Sequence, residues 1–265
     1  MDNYKFIDKK REHMHTLDGA PLIGTSTVVG VISKPLTWWA AETAAVECLE
    51  SGEKIPTIRQ EYEEAVASGD KKAGIDALQK KYPIFKKARF AHYESKNDKA
   101  DAGTDMHAEL ETYVKTCIAD GGLPFGPMPN LFKGKQVYEF AIWACDNVEK
   151  FLVSEGHCYS KELWTGGIVD CMVRQKNGQE AIIDFKSSRE AFDGQFIQIA
   201  GYDIEQAENG IFEANGGILQ EPVRISAYIV IPFGAKEFKV EKRYNTEEYK
   251  EAFKAANKLY KILNK

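Results

Sequence analysis

The stretch WTGGIVDCMVRQKNGQEAIIDFKSS, residues 164–188, predicts a β-hairpin. Asn177–Gly178 is a strong signal for a two-residue turn between antiparallel strands. The residues on either side of it are rich in valine, isoleucine and other apolar types that favour strands. We therefore predict one strand over 164–175 and a returning strand over 180–186.

Polar residues interrupt this hairpin in an ordered way. Asp184 and Lys186 are two residues apart and share one face of the strand, whereas Ile183 and Phe185 point to the other face. Asp170 on the first strand lies roughly opposite Asp184, and a register slip of one residue would turn it to the other face. Burying a carboxylate and an ammonium group in an apolar strand is costly. Two interpretations follow: a surface salt bridge on an edge strand, or a reactive patch of two carboxylates and one lysine.

Such a patch suits the metal-assisted hydrolysis of a phosphodiester. Two carboxylates hold a hard cation such as Mg²⁺ and leave coordination positions for water and a phosphate oxygen. The metal lowers the pKa of its water and neutralises charge on the scissile phosphate. The lysine can orient or deprotonate that water, or offset the phosphate charge.

The remaining sequence predicts helices around this hairpin. A β-branched run at 25–32 is typical of a strand or strand pair, and 223–231 alternates like a half-buried strand. Helical patterns occupy 36–50, two or three segments within 57–99, then 100–119, 135–152, about 190–209, and a last helix from Asn245 or Thr246, where Glu248 can complete a capping box. The fold class is therefore α/β, a mixed β-sheet core flanked by helices with a helical N-terminal half.

The amino-acid composition excludes several classes of protein. The chain has 265 residues, 43% of them hydrophobic and 28% charged, which excludes a disordered or collagen-like chain. Its net charge of -5 argues against a generally basic nucleic-acid binder. Five scattered cysteines, a polar N-terminus and the lack of a long apolar run predict reduced thiols, a cytoplasmic location and no membrane span.

Several motifs together resemble the PD-(D/E)xK nuclease superfamily, in particular its RecB-like and phage-type exonuclease branch. The matching segments are GIVD at 167–170, IDFKSS at 183–188, Gln198 and Tyr202 of a QxxxY motif, GTDMH at 103–107 of a GTxxH motif, and SEGHCYSKELWTGG at 154–167. The region 25–31 with Trp38–Trp39 is similar to the N-terminal part of the mitochondrial genome maintenance exonuclease type. The resemblance spans roughly residues 13–205.

The resemblance implies a restriction-endonuclease-like fold and a DNA exonuclease that depends on Mg²⁺ or Mn²⁺. It implies a single nuclease domain over 1–265, with an N-terminal strand and helical region (1–99), a catalytic core (100–235) and a C-terminal strand and helix (236–265). The expected catalytic residues are Asp170, Asp184, Lys186, Gln198 and Tyr202, and the expected metal ligands are His107, Asp170, Asp184 and Glu155. No iron–sulfur cluster of the branch's type is expected, because no cysteine follows Cys171.

A basic segment at 79–99, QKKYPIFKKARFAHYESKNDK, offers a candidate DNA-binding surface. It carries seven lysine and arginine residues against two acids, with tyrosine and phenylalanine interleaved. Cations that follow phosphates and aromatic rings that stack on bases are typical of single-strand channels. The expected DNA contacts are Lys80, Lys81, Lys86, Lys87, Arg89 and, from the GTxxH motif, Thr104. The alternative is an amphipathic helix with solvated lysines and buried rings.

The function expected from the sequence is that of a metal-dependent DNA exonuclease in phage or bacterial recombination or DNA processing. It would act in the cytoplasm of a bacterium or a phage-infected host, with DNA as substrate, and either alone or as an oligomer. A single-strand annealing or binding protein is the expected partner. The alternatives are a structure-specific or restriction-type endonuclease of the same superfamily and a non-catalytic DNA-binding recombination accessory protein.

Overall fold

The fold was analysed in a computed structural model. It describes residues 3–9, 12–32, 55–67, 80–84, 106–126, 134–214 and 216–264, together with residues 44, 48, 78 and 88. The chain divides into two compact units, one made of Met1–Ser33 with Ala102–Lys265 and the other of Lys34–Asp101. In the second unit, the helix Ile55–Ala67 is the longest described element.

The elements follow one another in a mixed order of strands and helices. The strands are β1 Tyr4–Lys9, β2 Glu12–Leu17, β3 Ala20–Pro21, β4 Ile23–Gly24, β5 Val148–Ser160, β6 Thr165–Gln175, β7 Glu180–Lys186, β8 Ile211–Phe212, β9 Ile218–Gln220, β10 Ile225–Pro232 and β11 Glu241–Arg243. The α-helices are α1 Thr25–Val29, α2 Ile55–Ala67, α3 at 106–119, α4 Lys135–Asn147, α5 Asp193–Asn209 and α6 Thr246–Leu263, and a short 3-10 helix covers Gly30–Ile32.

One large mixed sheet organises the first unit. Its strand order is β11-β10-β7-β6-β5-β8-β9, with β4 as an additional partner of β6. Strand β6 is antiparallel to both β5 and β7, whereas β10 runs parallel to β7. Strands β1, β2 and β3 form a separate antiparallel sheet. The predicted hairpin is confirmed, but its turn has three residues, Lys176–Gly178, rather than two, since the Gln175 N–H donates to the Gln179 carbonyl.

Helices cover both faces of the large sheet. Ile183 and Ile229 belong to a core shared with helices α3 and α4. Their neighbours Ile182 and Tyr228 belong to a second core shared with α5 and α6. Because successive strand residues point to opposite faces, each of these strands contributes side chains to both cores. The predicted class, α/β with a mixed sheet flanked by helices, is confirmed at this level.

Four further local predictions are wrong. Residues 25–32 are helical rather than extended, since Val28 packs in the core with α5 and α6 and tertiary packing overrides β propensity. The helix predicted over 135–152 ends at Asn147, and the chain continues as β5. Strand β10 is buried on both faces, as expected for a strand parallel to its neighbour under two helix layers. The Asn245 amide donates to the Glu248 carboxylate at 2.6 Å instead of capping the backbone of α6.

Some sequence predictions lie outside the described residues. These are the helix at 36–50 apart from residues 44 and 48, most of the helical region at 68–99, Trp38–Trp39, and Thr104.

Candidate active site

Strands β6 and β7 separate at the residues that carry the predicted chemistry. Their pairing runs from Arg174–Glu180 to Cys171–Ile183, so Asp170 and Asp184 are the next residues opposite each other in the same register. Beyond this point β7 continues beside β10. The backbone N–H of Phe185 donates to Oδ2 of Asp170 at 2.8 Å, so a side chain takes over where the strand ladder ends. We call this opening the fork.

A different strand joins β6 on the far side of the fork. Strand β4 pairs with β6 in parallel at Thr165–Gly166. Strands β4 and β7 therefore pair with the same edge of β6, and the segment Gly167–Val169 lies between the two paired stretches. This arrangement gives side chains from other elements access to the backbone beside Asp170.

Asp184 and Lys186 form a buried ion pair at the fork. Nζ of Lys186 lies 2.8 Å from Oδ2 and 3.0 Å from Oδ1 of Asp184, whose side chain is 1% exposed. The pKa of Asp184 is raised to about 7, because burial and the charge of nearby Asp170 outweigh the lowering effect of Lys186. Burial lowers the pKa of Lys186, but the two aspartates outweigh this effect and the net pKa is raised. The lysine therefore keeps its charge at neutral pH.

Three potential metal ligands converge beside this pair. One ligand atom each from His107, Glu155 and Asp170 lies within 4.8 Å of the other two. Glu155 has a φ of 51°, a left-handed conformation that is uncommon outside glycine and is often found at functional sites. Burial raises the pKa of Glu155 to about 8, and the charges of Asp170 and Glu111 add to the effect. The carboxylates therefore repel one another, and a cation between them would remove that cost.

The helix α3 presents a row of polar side chains to this cluster. His107, Glu111 and Lys115 are spaced four residues apart and share one helix face. Nε2 of His107 lies 2.7 Å from the carbonyl oxygen of Phe185. Because a carbonyl only accepts, Nε2 carries the proton and Nδ1 of the neutral ring keeps its lone pair. Lys115 forms an ion pair with Glu111.

The helix α5 contributes the predicted QxxxY pair. Nε2 of Gln198 donates to the hydroxyl oxygen of Tyr202 at 2.5 Å. Burial strongly raises the pKa of Tyr202, and the charges of Asp184 and Asp170 raise it further, so the phenol stays protonated. The ring lies against the β6 backbone, because a Cβ at Gly167 would be 2.4 Å from Cε1 of Tyr202. Gly167 is therefore required for this contact.

A groove of about 790 Å³ opens beside the cluster. Its walls combine the separate sheet, the segment that enters α1, and the part of β6 between Gly166 and Asp170. The lining residues are Met14, His15, Pro21, Leu22, Ile23, Gly24, Thr25, Ser26, Thr27, Glu155, Gly166, Gly167, Ile168, Asp170, Tyr202 and Tyr260.

Besides the Gln198–Tyr202 pair on α5, the predicted site residues fall into four groups. Asp170, Glu155 and His107 form the ligand cluster, and Asp184 with Lys186 forms the adjacent ion pair. Lys80 and Lys81 lie in the second unit and are exposed, and Nζ of Lys81 is 2.6 Å from Oε1 of Glu61. The remaining predicted DNA contacts, Lys86, Lys87, Arg89 and Thr104, lie outside the described residues.

Two residues near the groove were missed from the sequence. Thr25 lines the groove, and its hydroxyl donates to the buried carboxylate of Glu205 at 2.5 Å. The sequence offered one signal for this contact, Gly201 in the interior of α5, since a glycine there often marks a close approach of another element.

Comparison with models of known protein families gives no match to this chain, and comparison with curated proteins finds no similar sequence. Among the described residues, no helix has the length and apolar character needed to cross a membrane.

Proposed function

We propose that the chain is a metal-dependent deoxyribonuclease of the PD-(D/E)xK type, acting as an exonuclease. One observation carries this proposal: potential ligand atoms of His107, Glu155 and Asp170 converge within 4.8 Å, directly beside the buried Asp184–Lys186 pair. The mixed sheet with helices on both faces is compatible with a restriction-endonuclease-like core. The motif resemblance supplies the reaction class.

The donor set fits Mg²⁺ or Mn²⁺. Carboxylate oxygens suit both ions, and an imidazole nitrogen is a better ligand for Mn²⁺ than for Mg²⁺. The raised pKa of Glu155, caused mainly by burial and also by neighbouring carboxylates, shows that its charged form is disfavoured in the site, and a divalent cation would favour that form. Glu155, Asp170 and His107 would hold the ion, with Asp184 alongside. When bound, the ion supplies a water of lowered pKa and charge neutralisation at the phosphate.

The protein's own groups have separate tasks in this proposal. Lys186, charged at neutral pH and fixed by Asp184, orients the attacking water and offsets phosphate charge rather than removing a proton. The backbone carbonyl of Phe185 accepts a hydrogen bond from His107 and orients its ring. The backbone N–H of Phe185 donates to Asp170 and orients its carboxylate. Tyr202, held by Gln198, keeps its hydroxyl proton and is available as a donor to a phosphate oxygen.

The test is digestion of end-labelled linear and closed circular DNA, single- and double-stranded, with Mg²⁺, with Mn²⁺ and with chelator. We expect linear DNA to be degraded from its ends with either metal, and closed circles to survive. The variants Asp170→Asn and Asp184→Asn should abolish degradation, whereas the matched control Asp146→Asn on the exposed surface of α4 should not.

The same assay separates the alternatives. Cleavage of closed circles would assign an endonuclease. DNA binding without cleavage in any metal would assign an accessory protein and contradict the proposal. Unchanged degradation by Asp184→Asn would show that the activity lies elsewhere.

A further inference from the structure

A second buried carboxylate lies behind the fork and has no part in the site described so far. Glu205 follows Tyr202 by three residues on α5 and is fully buried. Its Oε1 accepts a hydrogen bond from the Thr25 hydroxyl at 2.5 Å, and its Oε2 accepts one from the Cys158 thiol at 3.2 Å. A buried carboxyl group is costly unless it is hydrogen-bonded. Glu205 meets that requirement by joining α5 to β5 and to the first residue of α1.

Thr25 occupies a slot between two glycines. A Cβ at Gly167 would lie 2.8 Å from Oγ1 of Thr25, and a Cβ at Gly201 would lie 2.5 Å from its Cγ2. Gly201 stands in the interior of α5, where glycine costs about 1 kcal/mol relative to alanine. The close approach of Thr25, together with the ring of Phe253, whose Cε2 would lie 2.6 Å from the same Cβ, accounts for that cost.

The segment held in this way is one wall of the groove. All six residues of Leu22–Thr27 line it, and Gly166–Ile168 of β6 line it beside them, where β4 pairs with β6. The described residues that line the groove include Asp170 and Glu155 but no lysine or arginine. Along this described lining, the shape of the wall contributes to placing a strand beside the ligand cluster.

We propose that Glu205 is a positioning residue, which holds Thr25 and so fixes the Leu22–Thr27 wall against which a nucleic-acid strand is placed beside Asp170. This inference rests on the proposed nuclease function. Glu205 hydrogen-bonds Thr25 and Cys158 rather than the carboxylates of the ligand cluster. Its effect on the reaction is therefore on substrate placement and not on the hydrolytic step.

The test compares steady-state kinetics of Thr25→Val and Thr25→Ser with the wild type on a linear end-labelled oligonucleotide. Valine keeps the shape but loses the hydroxyl, and we expect KM to rise about tenfold while kcat changes by less than about twofold. Serine keeps the hydroxyl and should restore most of the wild-type KM. Thr116→Val, on the exposed surface of α3, is the matched control and should leave both constants unchanged.

A second pair of variants changes glycines of α5 instead of Thr25. Gly201→Ala should displace Thr25, along with the buried ring of Phe253, and reproduce the KM rise. Gly194→Ala is the same substitution in the same helix, but its Cβ would meet only Cγ1 of Val29 at 3.8 Å, so it should leave KM unchanged. Thermal melting of each variant shows whether it is folded at the assay temperature.

Three outcomes would overturn the inference. A folded Thr25→Val with wild-type KM would show that the wall is held without Glu205. A loss confined to kcat would place the effect in chemistry instead of placement. If the wild type cleaves no DNA in any metal, the proposed function fails and this inference fails with it, whereas active wild type with unaffected Thr25 and Gly201 variants overturns this inference alone.

Discussion

The two ends of the β6–β7 hairpin each carry an ion pair, and the two pairs differ mainly in their surroundings. At the turn end, Arg174 and Glu180 meet across the strands at 2.9 Å, with side chains 42% and 18% exposed. At the fork, Asp184 and Lys186 meet along one strand at 2.8 Å, with side chains 1% and 24% exposed. Contact distance alone does not distinguish the two pairs.

Burial gives the two pairs different roles. An exposed pair contributes about 0–1 kcal/mol and is dispensable. A buried pair must overcome the desolvation of both charges, and the pKa of Asp184, raised to about 7 mainly by burial, reflects that cost. Perturbed groups of this kind cluster at functional sites. The comparison therefore predicts that substitutions at the fork change activity, while those at the turn change little.

The largest expected effect is the loss of activity in Lys186→Ala. We expect the rate of DNA cleavage to fall by about a thousandfold, because the cation that orients water and offsets phosphate charge is lost. Arg174→Ala, the matched control at the turn end, should stay within about twofold of wild type. Single-turnover cleavage of a labelled oligonucleotide measures both. A Lys186→Ala enzyme that is folded and within tenfold of wild type would refute the contrast.

The second-largest expected effect is a pH-dependent change in the free energy of unfolding, caused by the buried Glu205. Burial raises the pKa of Glu205 to about 7 in the folded state, above the ordinary value of 4.5 expected on unfolding. The folded state therefore holds the proton more tightly, so this group's contribution to stability is complete below pH 4.5 and is lost as pH rises to 7. Relative to Glu205→Gln, the wild type should lose about 3 kcal/mol of unfolding free energy across that window.

Urea unfolding at a series of pH values measures this difference. Subtracting the Glu205→Gln curve removes the contributions of other acids, including the neighbouring Glu208. A difference that stays flat between pH 4.5 and 7 would show that Glu205 ionises normally in the fold.

A third effect contrasts two glycines of the hairpin. At the fork, Gly167→Ala would bring a Cβ to 2.4 Å from Cε1 of Tyr202, and we expect a loss of about 2–3 kcal/mol through overpacking. At the turn, Gly178 has a φ of 80° and open space around it, so Gly178→Ala should cost about 1 kcal/mol through backbone strain alone. Denaturant unfolding gives both values, and equal losses would mean that Tyr202 adapts to the added methyl group.

The smallest effect tests the turn end itself. A double-mutant cycle of Arg174→Ala and Glu180→Ala should give a coupling free energy of about 0.5 kcal/mol, reduced in 1 M salt by screening. A coupling above about 2 kcal/mol would mean that solvent exposure does not predict how much free energy these ion pairs contribute to stability.

The hairpin was predictable because its signals are local. The Asn177–Gly178 signal locates the turn, and the two-residue period of a strand places Asp184 and Lys186 on one face. The exact register, with Asp170 opposite Asp184, depends on a turn of three residues, because a two-residue turn would put Asp170 opposite Phe185. Helix α5 was also predictable, because apolar spacing over seventeen residues is a strong signal. The catalytic and metal-binding roles of these residues stay predictions until activity is measured.

The boundary between α4 and β5 was not predictable from spacing. Val148 and Phe151 continue the apolar pattern of the helix, and both do contact the core that Phe140 contacts. They reach it from a strand, because β5 pairs with β6 along most of its length. Local periodicity cannot reveal a pairing partner that lies later in the chain.

By itself, the sequence determined the α/β class, the hairpin and the faces of its polar residues, since these depend on backbone geometry and near neighbours. Only the tertiary structure decided that His107 and Glu155 meet Asp170, that β6 and β7 part at the aspartates, and that Thr25 bonds a carboxylate 180 residues away. Such contacts depend on how both helix layers pack on the sheet, and no local pattern encodes that packing.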